Sequence, residues 1–334
     1  MNKILNHLAT FSLATALSAC GGSSGGANFI IGGGANVSDE TGTVSIGLSD
    51  APVDELKEVV IEIDKITLRK TGEDDVEIDR FTSTDLSIVD VDTFQIDLLQ
   101  YRGNKQAIVI DNLVVTAGKY SDLILSILDE DSNKSYVVEL DDTQVEIKVP
   151  SDTLQLGGFT VDADGVQTFT IEFDLRQALA YRTGPEVYNL KPRGIRIEDN
   201  ATAATLLGTV ESSLFDTGSP CDSKTDPNVG NVVYLYAGHD LDVTKLIDVY
   251  DPEVAIPPDE SIEPFASTSV VAGATEGTYD FGFVLAGDYT LVLSCDAEGD
   301  DSETYDAITL PLPTDQVKEV SLGSTTETRF NFTD

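Results

Sequence analysis

Short runs of alternating apolar and polar residues follow one another along most of the chain, starting at Thr43. A period of two places successive side chains on opposite faces of a strand, and these runs are rich in the β-branched and aromatic residues that pleated sheets favour. Examples are TVSIGL, EVVIEIDKITLRK, QAIVIDNLVV, QTFTIEFDL and RGIRIED. The pattern predicts an all-β protein built mainly from antiparallel strands.

The small residues of EDNATAATLLG interrupt this pattern near Asn200, and a second series of apolar runs follows. That series includes NVVYLYAG, FVLAGDYTLVLSC and ETRFNF. We therefore predict two antiparallel β-sandwich domains, one over residues 43–199 and one over residues 204–334.

Helical periodicity is scarce in this sequence. The best candidate for a short helix is DLRQALAYR, from Asp174 to Arg182, with Asp174 as its N-cap. The polar segments DEDSNKS and DADG fall between apolar runs, and we interpret them as hairpin loops.

The N-terminus has the layout of a secretory signal over residues 1–19. Lys3 supplies a short basic region, Ile4 to Leu17 is mostly apolar, and small residues follow. The tetrapeptide LSAC, ending at Cys20, resembles a bacterial lipobox, in which the cysteine is acylated and becomes the first residue after cleavage. The alternative is an ordinary secretory signal in which Cys20 has no role.

Residues 20–42 are rich in glycine and serine and are expected to form a flexible tether. Two or more acyl chains give stable membrane attachment, whereas a single chain gives only marginal binding. Glycine at position 21 resembles the pattern that sorts lipoproteins to the outer membrane. We therefore expect a protein of the bacterial cell envelope. Its acyl chains would anchor it in a lipid bilayer, which is its first expected partner.

The chain of 334 residues carries 59 acidic and 20 basic residues, a formal net charge of −39. Such a charge repels the phosphates of nucleic acid, so nucleic-acid binding is excluded as a function. Cationic ligands, calcium included, remain open. Dispersed acidic side chains also keep an exported protein soluble, which is the simpler interpretation of the charge.

Cys221 and Cys295 are the other two cysteines, and both lie in the second predicted domain. Because exported compartments are oxidising, an even pair of cysteines predicts a disulfide. Two free thiols are the alternative. Their spacing does not fit a metal site of cysteine and histidine ligands.

Calcium is the best candidate for a cofactor, although no metal site follows from the sequence. The segment DEDSNKS offers Asp129, Asp131 and Asn133 at alternating positions, as in the opening of a calcium-binding loop. Lys134 stands where glycine is expected and Leu140 where a glutamate is expected, so the segment is not an EF-hand. A solvated loop is the alternative for DEDSNKS and for the acidic segment DAEGDDSE at 296–303.

No catalytic residue is predicted. His7 belongs to the signal, which leaves His239 as the histidine through which any histidine-dependent triad would have to work. From residue 27 onward the sequence contains no G-x-S-x-G motif, and GLSDA at Gly47 ends in alanine. Pairs of carboxylates are inevitable among 59 acids and therefore carry little information about hydrolysis.

Two segments carry a resemblance to a known family. GTVSIGLSDAPVDELKEVVIEIDKITL near the start and FDLRQALAYRTGPEVYNLKPRGIRIED further on resemble domain of unknown function 4382, found in bacterial surface lipoproteins. The residues that carry it are Asp50, Ala51, Pro52, Val53, Asp54, Phe173, Asp174, Leu175 and Pro192. The resemblance covers about residues 42 to 199. It implies secretion and a β-rich domain, and it brings no established activity.

The second predicted domain is similar in style to immunoglobulin-like, carboxypeptidase-regulatory-like or prealbumin-like modules. Phe281, Phe283, Gly287 and Tyr289 echo the pattern of those modules. Together these features predict a membrane-anchored surface lipoprotein with a non-enzymatic binding, adhesion or envelope-scaffold role. Its expected partners are a lipid bilayer, through acyl chains, and an unknown envelope protein or glycan. The alternatives are a calcium- or carbohydrate-binding module and a secreted hydrolase using acidic residues.

Overall fold

The computed structural model describes residues 40–51, 53, 56–129, 132–216, 218, 220–221, 224–273 and 275–334. Its first half, residues 40–199, contains helix α1 (Leu175–Ala178) and 3-10 turns at Leu98–Gln100 and Pro150–Asp152. The strands of the first half, β1 to β17 in order, are Thr41–Asp50, Leu56–Arg69, Val76–Ile78, Phe81–Ser83, Ile88–Val91, Phe94–Asp97, Ala107–Thr116, Gly118–Tyr120, Asp122–Ile127, Tyr136–Glu139, Gln144–Lys148, Thr153–Gln155, Phe159–Val161, Val166–Phe173, Leu179–Arg182, Val187–Leu190 and Ile195–Asp199.

The second half, residues 200–334, contains 3-10 turns at Ser212–Leu214 and Val243–Lys245. Its strands, β18 to β24 in order, are Ala203–Glu211, Val232–Ala237, Ala266–Ser269, Glu276–Leu285, Gly287–Ser294, Val317–Leu322 and Glu327–Arg329.

Two large sheets enclose the core of the first half. One has the order β17-β14-β1-β7, and the other has the order β12-β9-β2-β10-β11-β16-β15, with β3 and β6 also paired to β2. Alternate residues of β1, such as Ile46 and Leu48, point into this core and are fully buried. Ser45 and Ser49 lie on the opposite face of β1 and are buried as well, so both faces of the sheet are covered at this strand.

The second half has two sheets, ordered β21-β18-β24 and β20-β19-β22-β23. Strand β19 is buried on both faces, which explains the uninterrupted apolar run NVVYLY. Val233 and Leu235 belong to the core between the two sheets. Val232, Tyr234 and Tyr236 belong to a second apolar cluster on the outer face. The all-β fold class is therefore confirmed.

The two halves pack together, because residues Asp39–Asp334 form one compact unit. The boundary between two domains near Asn200 stays a prediction. No helix in the described part of the chain is long and apolar enough to cross a membrane.

The predicted helix from Asp174 to Arg182 is wrong in its second part. Helix α1 ends at Ala178, and Leu179–Arg182 forms β15. The reason is tertiary pairing, since β15 forms an antiparallel ladder with β16 that the local helical pattern does not reveal.

The hairpin prediction for DEDSNKS is also wrong. The strands on either side, β9 and β10, both pair with β2, with its Ile63–Arg69 and Leu56–Val60 segments respectively. DADG likewise joins β13 and β14, which pair with β8 and β1 rather than with each other. Both segments are connections between ladders. In addition, β1 begins at Thr41, so the last two residues of the predicted tether belong to the sheet.

Not every ladder is antiparallel. Strands β1 and β14 pair in parallel over eight residues, from Thr43 with Val166 to Asp50 with Phe173. β11 and β16, and β18 and β24, are further parallel pairs. A parallel ladder joins segments far apart in sequence, which alternating hydrophobicity alone does not predict.

Candidate functional site

Basic residues of the first half meet acidic residues of the second half where the two halves pack. The Nζ atom of Lys191 lies 2.7 Å from Oδ2 of Asp251 and 2.6 Å from Oε1 of Glu303. Arg182 also reaches Oε1 of Glu303, at 2.8 Å. Because these carboxylates are largely buried, solvent screens the pairs less than it screens pairs on the open surface. The junction is thus held by charge as well as by packing.

Arg176 and Asp300 form the most deeply buried ion pair of this junction. Their side chains are only 8% and 1% exposed, and the NH2–Oδ2 distance is 3.1 Å. The hydroxyl of Tyr234 donates to the same carboxylate oxygen at 2.5 Å. Burial raises the pKa of Asp300, and the charge of Arg176 opposes that shift. Arg176 therefore compensates a carboxylate that is out of reach of water.

Asp174 joins the halves by hydrogen bonds. The structure places it directly before α1, but its side chain does not cap the helix. Instead its Oδ2 atom accepts from Nε2 of Gln177 and from the backbone N–H of Ser267 in β20, both at 2.8 Å. Burial raises the pKa of Asp174. A residue predicted as an N-cap thus holds a strand of the second half.

Asp50, Glu172 and Asp174 form what we call the sealed acidic cluster, since none of the three is exposed. Neither carboxylate oxygen of Asp50 has a hydrogen-bond partner among the described residues. Burial, and then the charge of Glu172, raises the pKa of Asp50. Burial also raises the pKa of Glu172 to about 8, against the opposing charge of Arg196. These carboxyl groups are protonated more readily than exposed ones.

Arg196 faces this cluster from β17. Its Nε atom lies 3.5 Å from Oε1 of Glu198. Its guanidinium also stands 5.0 Å from the centre of the Phe265 ring in the second half. Burial raises the pKa of Glu198 to about 7. The cation is therefore shared among several partners inside the junction.

The loop at 101–105 is anchored on both sides. The carbonyl of Tyr101 accepts from the backbone N–H of Asp50 at 2.8 Å and from the hydroxyl of Ser49 at 3.1 Å. Gly103 has a φ of +66°, which glycine adopts without strain. A Cβ atom at Gly282 of β21 would lie 1.8 Å from the carbonyl oxygen of Gly103. The loop therefore rests backbone to backbone on the second half.

An open cleft lies beside this loop, with a volume of about 480 Å³. We call it the basic cleft. It is lined by residues of both halves: Arg102, Gly103, Asn104, Lys105, Thr205, Leu207, Gly208, Thr209, Val271, Thr278, Tyr279, Asp280, Arg329 and Asn331. Arg102 and Lys105 also line a neighbouring cleft of about 350 Å³ with Lys57. The volume is within the range of small-molecule sites.

Arg102 and Lys105 differ from the cations described above. Both are exposed, and neither forms an ion pair or a side-chain hydrogen bond with any described residue. Their charges act at longer range on Asp280, whose pKa burial raises and these two cations lower. Arg329, on the opposite wall, pairs with Glu327 at 2.8 Å. Two cations without ionic partners among the described residues, on a chain of net charge −39, make this cleft the candidate site for an anion.

Cys221 and Cys295 form a disulfide, as expected from the sequence, with their Cα atoms 5.9 Å apart. Both belong to the core of the second half. Cys20, with its predicted lipidation, lies outside the described residues, and so do residues 1–19 of the predicted signal.

The calcium candidates are only partly described. Oδ2 of Asp129 accepts from the backbone N–H of Val149 at 2.7 Å, so this side chain closes a loop. The carbonyl of Asn133 accepts from Gln95 at 2.7 Å, and Asp131 lies outside the described residues. In the described part of the chain, no group of three or more His, Cys, Asp or Glu side chains is placed to hold a metal ion.

The acidic segment at 296–303 and His239 also have structural contacts. Asp300 of that segment belongs to the ion pair with Arg176, and Asp301 accepts from the backbone N–H of Glu303 at 2.7 Å. Nε2 of His239 lies 3.1 Å from the carbonyl of Val320.

Neither Arg102 nor Lys105 was predicted as a functional residue from the sequence. The one local signal is the turn sequence YRGNK, in which Gly103 separates two cations.

The chain is thus an all-β protein with a polar cleft lined by residues of two packed halves. Residues 41–192 match the family model described as "Domain of unknown function (DUF4382)". This match supports the domain family that the sequence resemblance indicated. Asp50 and Asp174, two residues that carried the resemblance, both lie in the sealed acidic cluster. No curated protein matches the chain.

Among solved structures, the chain is similar to a leucine-rich repeat protein from Bacteroides thetaiotaomicron, at 12% identity and a TM-score of 0.23. The match covers 88% of this chain and 26% of that protein, so the chain spans about a quarter of it. It is similar to GBS52, the minor pilin of Streptococcus agalactiae (12% identity, 86% and 94% coverage, TM-score 0.17). It is also similar to BcpA, the major pilin subunit of Bacillus cereus (10%, 88% and 71%, TM-score 0.19). Because all three TM-scores are below 0.5, none of these proteins is an argument for what the chain does.

Proposed function

We propose that the chain is a lipid-anchored protein of the bacterial cell envelope that binds a ligand at the surface without chemical conversion. The observation that supports the binding role is the pair Arg102 and Lys105, which are exposed in an open cleft and have no ionic partner in the part of the chain that the structure describes. Basic side chains on a strongly acidic protein are surrounded by carboxylates with which they can pair. Basic side chains that remain unpaired in a cleft are therefore available to a ligand.

The state of the acidic groups favours binding over hydrolysis. A glycosidase needs two carboxyl groups that reach the substrate, one of them with a raised pKa. The carboxyl groups of Asp50 and Glu172 have raised pKa values but no exposure. That of Asp300 is 1% exposed and paired with Arg176. These groups serve the packing of the two halves, where no substrate reaches them.

The junction also supports a rigid binding site. The walls of the basic cleft come from both halves, and the halves are joined by the ion pairs of Arg176, Arg182 and Lys191. A cleft whose walls are held before binding loses less conformational entropy when the ligand arrives.

The lipid anchor is supported by the lipobox-like LSAC and by the glycine- and serine-rich segment after it. Labelling cells with a palmitate analogue tests it. The wild-type chain is expected to take up label and to fractionate with outer membranes, and Cys20→Ser is expected to lose both properties. Equal labelling of the variant would overturn the anchor.

An adhesion assay tests the binding role. Beads coated with the purified full chain are incubated with intact cells and envelope fragments from the same bacterium and from neighbouring species. The double variant Arg102→Ala/Lys105→Ala is expected to retain at least several-fold fewer particles. Lys119→Ala is the matched control, because Lys119 is an exposed cation outside the cleft. Equal retention by the wild type and the double variant would overturn the basic cleft as the binding surface.

A further inference from the structure

We propose that the basic cleft recognises the carboxylate of an acidic sugar within a glycan. This inference rests on the proposed binding function and specifies its ligand. It follows from the number of charges in the cleft, from the neutral groups beside them and from the shape of the arginine head group.

The number of unpaired cations matches a sparsely charged ligand. Arg102 and Lys105 provide two positive charges, and Arg329 is already paired with Glu327. A polyanion such as nucleic acid would meet the field of a chain with net charge −39 beyond these two residues. A single carboxylate needs only local attraction, because charges more than about 8 Å away are largely screened at physiological salt.

The neutral lining of the cleft suits sugar hydroxyl groups. The side chains of Asn104, Thr205 and Thr209 make no hydrogen bond with described residues. The Oδ1 atom of Asn331 accepts from the backbone N–H of Thr209 at 3.0 Å, which leaves its amide NH₂ group as a donor. Amides and hydroxyls both donate and accept, as the hydroxyls of a sugar ring do. An inorganic anion, which presents acceptors alone, would use only the donors among these groups.

Arg102 supplies the geometry for a carboxylate. A guanidinium presents parallel N–H donors that match both oxygens of a planar carboxylate, whereas Lys105 acts as a point charge. The backbone around Arg102 is fixed by Tyr101 on one side and by the contact between Gly103 and Gly282 on the other. The carboxyl group of Asp280 lies beside the loop but does not pair with Arg102.

Calorimetry with the purified full chain tests the inference, with an otherwise neutral oligosaccharide that carries one glucuronic acid residue as the acidic glycan probe. Its methyl ester is the neutral control, and inorganic phosphate and a polyglutamate peptide are the alternative anions. We expect the acidic oligosaccharide to bind, and esterification to weaken binding about tenfold or more, since a charge-assisted pair is lost. Arg102→Ala is expected to have a similar effect, Arg102→Lys a smaller one, and Lys119→Ala none. Unchanged thermal unfolding of the variants shows that they are folded.

The outcomes separate the inference from the proposed function. Equal binding of the ester and the acid would overturn the carboxylate and leave a glycan-binding cleft. Tighter binding of phosphate or polyglutamate would overturn the acidic sugar and leave an anion site. If no probe binds while bead adhesion still depends on Arg102 and Lys105, the inference is wrong and the binding function stands. If adhesion is also independent of both residues, the two fall together.

Discussion

The sealed acidic cluster and the basic cleft lie at the same junction, but they treat charge in opposite ways. Asp50, Glu172 and Asp174 are fully buried and have raised pKa values. Arg102 and Lys105 are exposed and have no ionic partner among the described residues. A buried charge must be paired or neutralised by a proton, because removing it from water is costly. An exposed charge has no such requirement and stays available.

This difference separates the charged residues that contribute to folding from the exposed ones to which we assign ligand binding. Conversion of a charge inside the junction should mainly alter folding, whereas conversion of one in the basic cleft should mainly alter binding. Four variants test this division.

The largest effect is expected for Arg176→Met, which leaves the carboxylate of Asp300 buried without its cation. Breaking a buried pair by removing one partner costs about 3–5 kcal/mol. Chemical denaturation of the two proteins measures the loss. Arg80→Met is the control, because Arg80 pairs with Asp90 and Asp92 at 49% exposure and exposed pairs contribute little. Equal stability of Arg176→Met and wild type would show that the pair is not needed for folding.

A pH-dependent effect of a few kcal/mol is expected from Glu172. Its pKa is about 8 in the folded chain against 4.5 for an ordinary glutamate. The folded chain therefore holds the proton more tightly, so the free energy of unfolding is highest below about pH 4.5 and falls as the pH rises to about 8. The groups facing Glu172 are Arg196, Ser49, Asp174, Asp280 and Asp50.

Glu172→Gln removes this titration. Its free energy of unfolding is expected to match the wild type at pH 4 and to exceed it at pH 8, as measured by denaturation at a series of pH values. A part of the decline with pH is expected to persist, because burial also raises the pKa values of Asp50 and Asp174. Parallel curves for the two proteins would contradict the assignment of the titration to Glu172.

A smaller loss, about 1–3 kcal/mol, is expected for Gly282→Ala, because the added methyl group overlaps the carbonyl oxygen of Gly103. The 101–105 loop must then move, so ligand affinity at the basic cleft should fall as well. Gly157→Ala is the control, since a Cβ atom at Gly157 would meet no atom within 4 Å. Thermal unfolding and the bead assay report the two effects. Unchanged binding with reduced stability would separate the loop from the site.

The smallest change in stability is expected for Arg102→Ala/Lys105→Ala. Surface substitutions away from packed or paired groups usually change the free energy of unfolding by less than about 0.5 kcal/mol. Denaturation of the double variant beside the wild type measures this. A loss comparable to that of Arg176→Met would show that the cleft cations serve folding, and the division between the two regions would fail.

The sequence predicts the strands well because their signal is local. In β1, β2 and β14, apolar residues alternate with polar or small ones, because one face of each strand packs into the apolar core. In β19 the apolar run is unbroken, because both faces are buried against apolar groups. The disulfide was also predictable, because two cysteines remain once the predicted lipobox takes Cys20, and two cysteines allow one pair.

The candidate site was not predictable, for a physical reason. Arg102 and Lys105 are informative only because no described carboxylate forms an ion pair with them, and that is a property of the packed halves. Asp174 does occupy the N-cap position of α1, but its carboxylate accepts from the backbone N–H of Ser267, which lies 93 residues away along the chain. Leu179–Arg182 became a strand because of its ladder with β16. Long-range pairing decides each case, and local periodicity carries no information about it.

The parallel ladder between β1 and β14 has a mechanical consequence. A pull transmitted from the residues before Thr41 enters the fold at the first residue of β1. That strand is flanked by β14 over eight residue pairs on one side and by β7 on the other. A force along its axis loads these backbone hydrogen bonds together in shear, whereas an edge strand peeled sideways would release them one at a time. Under the proposed anchor and binding role, a load on the tethered end would meet the two ladders of β1 before any other part of the fold.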